Sequence, residues 1–238
     1  MYSELKIERI EETLEILERR IVERFPKSSL TGVTAELRTI AAHTEEVVEK
    51  LRRPIWPLRI GAALGIAGMI TIFGLIALVA IRVKMEVQSV SELFQTSESA
   101  VNDIILFCVA IYFFLNLETR VKQRAALRAL HKLRSIVHIV DMHQLSKDPE
   151  HLLAPAMRTE SSPKRTMTRF ELARYLDYCS ELLSLTSKIA ALHVQYLNDP
   201  VVLDAVNDIE TLAASLSNKI WQKIMILDIA MPERRDER

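Results

Sequence analysis

Apolar side chains recur every three or four positions through most of this sequence, and in two stretches they crowd out polar ones almost entirely. In residues 3–24 the spacing sets Ile7, Ile10, Leu14, Leu17 and Ile21 on one seam, with Glu and Arg on the remaining faces. An α-helix returns to one face at those intervals, so the segment predicts an amphipathic helix with a heptad seam. Phe25-Pro26 ends it, because proline has no amide hydrogen to continue the ladder. Ser28 or Ser29 is placed to cap a second helix that carries Leu30, Val33, Leu37, Ile40, Thr44, Val47 and Leu51 in the same rhythm. Two helices with so short a link predict a helical hairpin over residues 1–53. About three heptads is short for an independent coiled coil, so the seams are expected to pack on other helices of the domain or on a second subunit.

The pattern then breaks at Pro54, Trp56 and Pro57. From Ile60 to Ile81 there is no charge, and Thr71 is the one polar side chain. At 1.5 Å per residue this run is roughly 33 Å long, enough to cross a bilayer core. Residues 58–82 are therefore expected to be a transmembrane helix. Ile104–Leu115 is as apolar but covers only roughly 18 Å. Spanning requires extension through Asn102-Asp103 at one end and Asn116-Leu117-Glu118 at the other, giving a second membrane helix over 101–118. Between the spans, residues 83–100 place Val87, Val90, Leu93 and Phe94 on one helical face, as in a short amphipathic piece at the outer surface.

Beyond Glu118 no helix breaker precedes Asp148-Pro149. Residues 119–147 are accordingly expected to continue the second span as one rod, with Ala126, Leu130, Leu133, Val137 and Val140 as its buried stripe. The Pro/Ser/Thr/basic segment 148–167 reads as a mobile loop. Thr168 and Glu171 form a capping-box pattern, and Asp199-Pro200 caps and opens a further helix, giving an antiparallel pair over 168–230. The tail after Met231 is too charged to pack.

Charge supplies the orientation. Lys50, Arg52, Arg53 and Arg59 precede the first span, and Arg120, Lys122, Arg124, Arg128, Lys132 and Arg134 follow the second, whereas the intervening stretch is acidic on balance. Both basic flanks belong in the cytoplasm, an arrangement that a two-span hairpin permits. The fold expectation is thus an all-α membrane protein: a two-span transmembrane helical hairpin with a cytoplasmic helical bundle formed from the N- and C-terminal parts. The amphipathic opening turns are not those of a signal peptide, so the first span is expected to be an uncleaved anchor in the cell (inner) membrane, with both termini cytoplasmic. Lys and Arg equal Asp and Glu at 31 each, so no global basicity points to nucleic acid.

Candidate chemistry is sparse. Gly61, Gly65 and Gly68 share a face of the first span, where small residues let backbones approach closely; the expected contact is the second span or another subunit. Asn102 and Asp103 lie at the outer end of the second span, and Asn116 and Glu118 at its inner end. In an oligomer, Asp103 would form an acidic ring that draws cations. A carboxylate at the pore of a hairpin bearing coiled coils resembles the plan of the mitochondrial calcium uniporter, but the acidic Asp-Ile/Val-Met-Glu signature of that family is absent, so the likeness is architectural. His131, His138 and Asp141 share one face of the rod and are weak metal candidates that need ligands from another helix. No Gly-x-Ser-x-Gly, HExxH or phosphate-binding loop occurs, and Cys108 and Cys179 have no CxxC spacing. The expected function is a non-enzymatic membrane-anchored scaffold or adaptor without a cofactor. Its expected partners are the lipid bilayer, further copies of itself and a cytoplasmic protein. The alternatives are a small oligomeric cation channel or transport subunit with Asp103 at its mouth, and a metal-dependent enzyme on the cytoplasmic face.

Overall fold

The computed structural model describes residues 4–82, 90–149 and 167–230, and every regular element among them is an α-helix. In chain order these are α1 (Ile7–Arg24), α2 (Leu30–Arg52), α3 (Trp56–Arg82), α4 (Val90–Leu115), α5 (Leu117–Leu145), α6 (Arg169–Tyr196) and α7 (Pro200–Ala230). The chain divides into two compact units, one made of Met1–Arg52 and Ala125–Arg238, the other of Arg53–Arg124.

In the first unit α6 is the central helix. It packs against α1, α2 and α7, and it buries residues around most of its circumference, among them Leu176, Cys179, Leu182, Leu183, Ile189 and His193. The other helices each bury a stripe in the shared core. Ile10, Leu14, Leu17 and Ile21 are the buried side of α1, and Ala126, Leu130, Leu133, Val137 and Val140 that of α5. Removing a Leu or Ile side chain of this kind from water is worth about 1.5–3 kcal/mol, so these stripes supply most of the drive for assembly.

Local chemistry sets the helix ends. Phe25 leaves α1 and turns its ring edge-on to Tyr175 and Tyr178, with centroids 5.5 and 6.1 Å away. Ser28 Oγ accepts the Leu30 amide at 3.1 Å as α2 starts. Thr168 and Glu171 complete a reciprocal capping box at α6, which draws the Glu171 carboxyl below its ordinary range. Asp199 Oδ1 accepts the Val201 and Val202 amides at 3.0 and 3.1 Å, satisfying two of the donors that a helix start leaves open.

The second unit contains α3, α4 and the first turns of α5. Phe73 stacks on Phe107 with centroids 5.0 Å apart, while Gly65 faces Phe114, so α3 and α4 run antiparallel. At 27 and 26 residues each helix is about 40 Å long. Both are long and apolar enough to cross a membrane. Between Ile60 and Val79 of α3 and between Ile104 and Leu115 of α4 the outer surface is dominated by apolar side chains: Leu64, Ile70, Ile72, Leu75 and Ile76 of α3 and Ile104, Ile105, Leu106, Val109 and Leu115 of α4 are each more than half exposed.

The second span and its continuation are α4 and α5, which meet at Asn116. There the backbone amide still donates to the Tyr112 carbonyl at 3.2 Å and the carbonyl accepts the Arg120 amide at 3.0 Å, so helical hydrogen bonding carries across the joint. The Asn116 side-chain amide adds a second bond to the Tyr112 carbonyl at 2.8 Å. One sequence expectation is modified here: the polar stretch 90–100, read as linker, belongs to α4 itself. The rest of that linker (83–89), most of the expected loop (150–166) and the charged tail (231–238) lie outside the described residues.

Candidate functional site

The three glycines expected to form a packing face do not behave alike. A Cβ built on Gly65 would meet the Phe114 ring at 2.9–3.4 Å, so α4 packs tightly on α3 at this glycine. Gly61 and Gly68 have nothing within 4 Å, and the same holds for Gly74. Within the hairpin, one glycine carries the close approach. The open surfaces at Gly61 and Gly68 are available for another helix.

The polar residues at the ends of α4 also separate into two kinds. Asn102 and Asp103 are exposed on the helix surface. Glu118, at the start of α5, is the hub of a local network. Its carboxylate accepts hydrogen bonds from Arg59 Nε and from the Ile55 amide at 3.2 Å, and it pairs with Lys122 Nζ at 3.0 Å. The Glu118 and Lys122 side chains are only 16% and 12% exposed, so this pair is held away from water and is worth more than a surface salt bridge. The Glu118–Arg59 bond joins the first turn of α3 to the first turn of α5. Arg120 lies over the Phe113 ring, 5.7 Å from its centroid.

His131 and His138 are exposed on α5, and Asp141 is half-buried, accepting a 2.6 Å hydrogen bond from Gln144 Nε2. No group of three or more His, Cys, Asp or Glu among the described residues is gathered closely enough to hold a metal ion. Acidic residues on the neighbouring helices pair with arginines: Glu181 with Arg20 at 2.9 Å, Asp177 with Arg174 at 3.3 Å, and Asp208 with Arg134 at 3.7 Å.

The surroundings of Gln144, His143 and His193 in the first unit were not visible in the spacing. Gln144 is 2% exposed, and its Oε1 and backbone carbonyl accept Lys223 Nζ at 2.7 and 3.0 Å, so α7 caps the end of α5. His143 Nδ1 lies 3.4 Å from both Ser29 Oγ and Tyr175 Oη. Burial, and then Lys147, lower the His143 pKa, while burial pushes the Tyr175 hydroxyl up to about 12. His193 is fully buried. Its Nδ1 lies 3.2 and 3.3 Å from the Ile189 and Ala190 carbonyls, so Nδ1 carries the proton and donates to them, leaving Nε2 without a partner. Cys179 is also fully buried, and burial pushes its thiol up to about 12, so it stays protonated and is a poor nucleophile.

A cleft of about 370 Å³ is lined by Arg20, Glu23, Arg24, Arg174 and Tyr178. Its arginines are engaged: Arg20 over Tyr178 and on Glu181, Arg24 and Arg174 over Phe170. With those carboxylates alongside, the cleft has no surplus charge to select an anion. Compared with known proteins, the chain matches no family model, no curated protein and no solved structure.

Proposed function

We propose that this chain is a non-enzymatic, membrane-anchored helical scaffold. In this reading α3 and α4 cross the cell (inner) membrane as a multi-pass hairpin, and both termini lie in the cytoplasm. The unit built from α1, α2, α6, α7 and most of α5 docks partner proteins or further copies of the chain there. The observation that supports the reading best is the contrast between the two units. One folds around a buried core with a charged exterior, while the other exposes large apolar side chains along two helices long enough to span a bilayer. An exposed apolar surface on that scale calls for lipid or protein to cover it. The basic residues flanking the hairpin, with the acidic stretch between its helices, favour the cytoplasmic placement of both ends.

The test combines mass in mild detergent with ion flux after reconstitution. A scaffold that self-associates is expected to run as an assembly larger than one chain, and its liposomes pass no cations. A strict monomer removes the self-association. Cation flux through wild-type protein replaces the scaffold with a channel.

A further inference from the structure

The network at Glu118 brings two basic segments, far apart in sequence, to one end of the helical hairpin. Arg59 of α3 and Lys122 of α5 share that carboxylate. Arg53 lies just before α3, and Arg120 and Arg124 lie on the first turns of α5; all three are exposed. Residues 53–60 and 115–124, which meet at this end, hold five cationic residues and one acidic residue, Glu118. Trp56, 65% exposed, begins α3 beside them. The apolar surface starts directly beyond, at Ile60 on α3 and at Leu115 on α4.

A tryptophan and a cluster of guanidinium groups at the edge of an apolar surface match the headgroup layer in both polarity and depth. The geometry points to a binding site for anionic phospholipid at this end of the hairpin, with Arg120 and Arg124 contacting the headgroup phosphate. Arg53 adds attraction alongside. Arg59 and Lys122 are held by Glu118 and position the site. Guanidinium suits the role because its fork of donors pairs with two phosphate oxygens at once. Stacking on Phe113 fixes Arg120 close to the apolar edge rather than out in solution. Along the sequence the opposite end of α3 has the other balance, since Arg82 and Lys84 are followed by Glu86, Glu92, Glu98 and Asp103.

The inference rests on the membrane-hairpin reading, and one experiment separates the two. The full chain is reconstituted in phosphatidylcholine vesicles carrying a trace of spin-labelled phosphatidylcholine or spin-labelled phosphatidylglycerol, and vesicle flotation is checked first. The motionally restricted fraction of each labelled lipid then reports its association with the protein. A roughly fivefold preference for phosphatidylglycerol is expected at low salt, the scale of one cation–headgroup contact. It should shrink as added salt screens the charges. The Arg120→Gln/Arg124→Gln chain should lose the preference and still float, while Arg82→Gln should keep it. Flotation with equal association of the two lipids, or a preference that survives Arg120→Gln/Arg124→Gln, overturns the lipid site alone. A chain that does not float overturns the membrane reading, and the site with it.

Discussion

Replacing Gly65 by leucine is expected to separate α3 from α4, whereas the same change at Gly74 is not. A Cβ on Gly65 would sit 2.9 Å from Phe114 Cζ and 3.0 Å from Cε1, against about 3.5–4.0 Å for carbon atoms at rest. Alanine needs only a few tenths of an ångström, which rotation of the Phe114 ring can supply. Leucine brings three more carbons into the same space, and overpacking of this kind costs about 1–3 kcal/mol. A penalty of about 1.4 kcal/mol corresponds to a tenfold rise in the separated fraction. Met69 and Ala110 lie between the Gly65–Phe114 and Phe73–Phe107 contacts and are half-buried, so a disulfide between them reports helix approach. In a Met69→Cys/Ala110→Cys chain carrying Cys108→Ser, Gly65→Leu should slow disulfide trapping about tenfold, the change that penalty implies. Phe114→Ala should restore much of the rate, because it removes the partner of the clash. Trapping that proceeds as fast with Gly65→Leu as without it, or slows equally with Gly74→Leu, would refute the close approach at Gly65.

Three further outcomes are expected. His193 is buried with a lowered pKa, so the unfolded chain takes up its proton near the ordinary value of about 6.5 while the folded one resists. Stability is therefore complete above that pH and falls as the solution is acidified through it, with His143 acting in the same direction; thermal unfolding against pH should show this slope, and His193→Gln should flatten it. Asp199→Ala removes the acceptor of two amides at the start of α7 and should cost about 1 kcal/mol in denaturant unfolding, with Asp199→Asn close to neutral. Asp103 is exposed on α4, so Asp103→Asn should change neither assembly mass nor ion flux; a wild-type cation flux that stops in this variant would move the function to a channel.

The helical core was written in the spacing because burial in a bundle follows the turn of the helix. Leu130, Leu133, Val137 and Val140 of α5, and Val202, Val206, Ile209 and Ile220 of α7, are buried where the three-four rhythm places them. The caps at Thr168 and Asp199 were legible for a similar reason, since an N-cap uses residues two or three positions away. What the sequence could not give was the pairing of polar groups across elements. Glu118 reads as an interfacial acid until Arg59, 59 residues away, is seen on its carboxylate. Lys223 on Gln144 and Arg20 on Glu181 have separations of 79 and 161 residues, with no periodicity to announce them. His193 is hidden differently, as a polar residue on the inner face of an otherwise regular helix. The glycine face was legible as a face, but only the partner helix distinguishes Gly65 from Gly61 and Gly68.

The hairpin itself is best tested by the sidedness of three points on the chain in intact cells. Reporter tags fused at Met1, at Arg238 and near Ser91 each show which face of the membrane they occupy. A two-span hairpin places the tags at Met1 and Arg238 together in the cytoplasm and the tag near Ser91 on the opposite face. Termini on different faces, or a Ser91 tag on the same face as both termini, would contradict it.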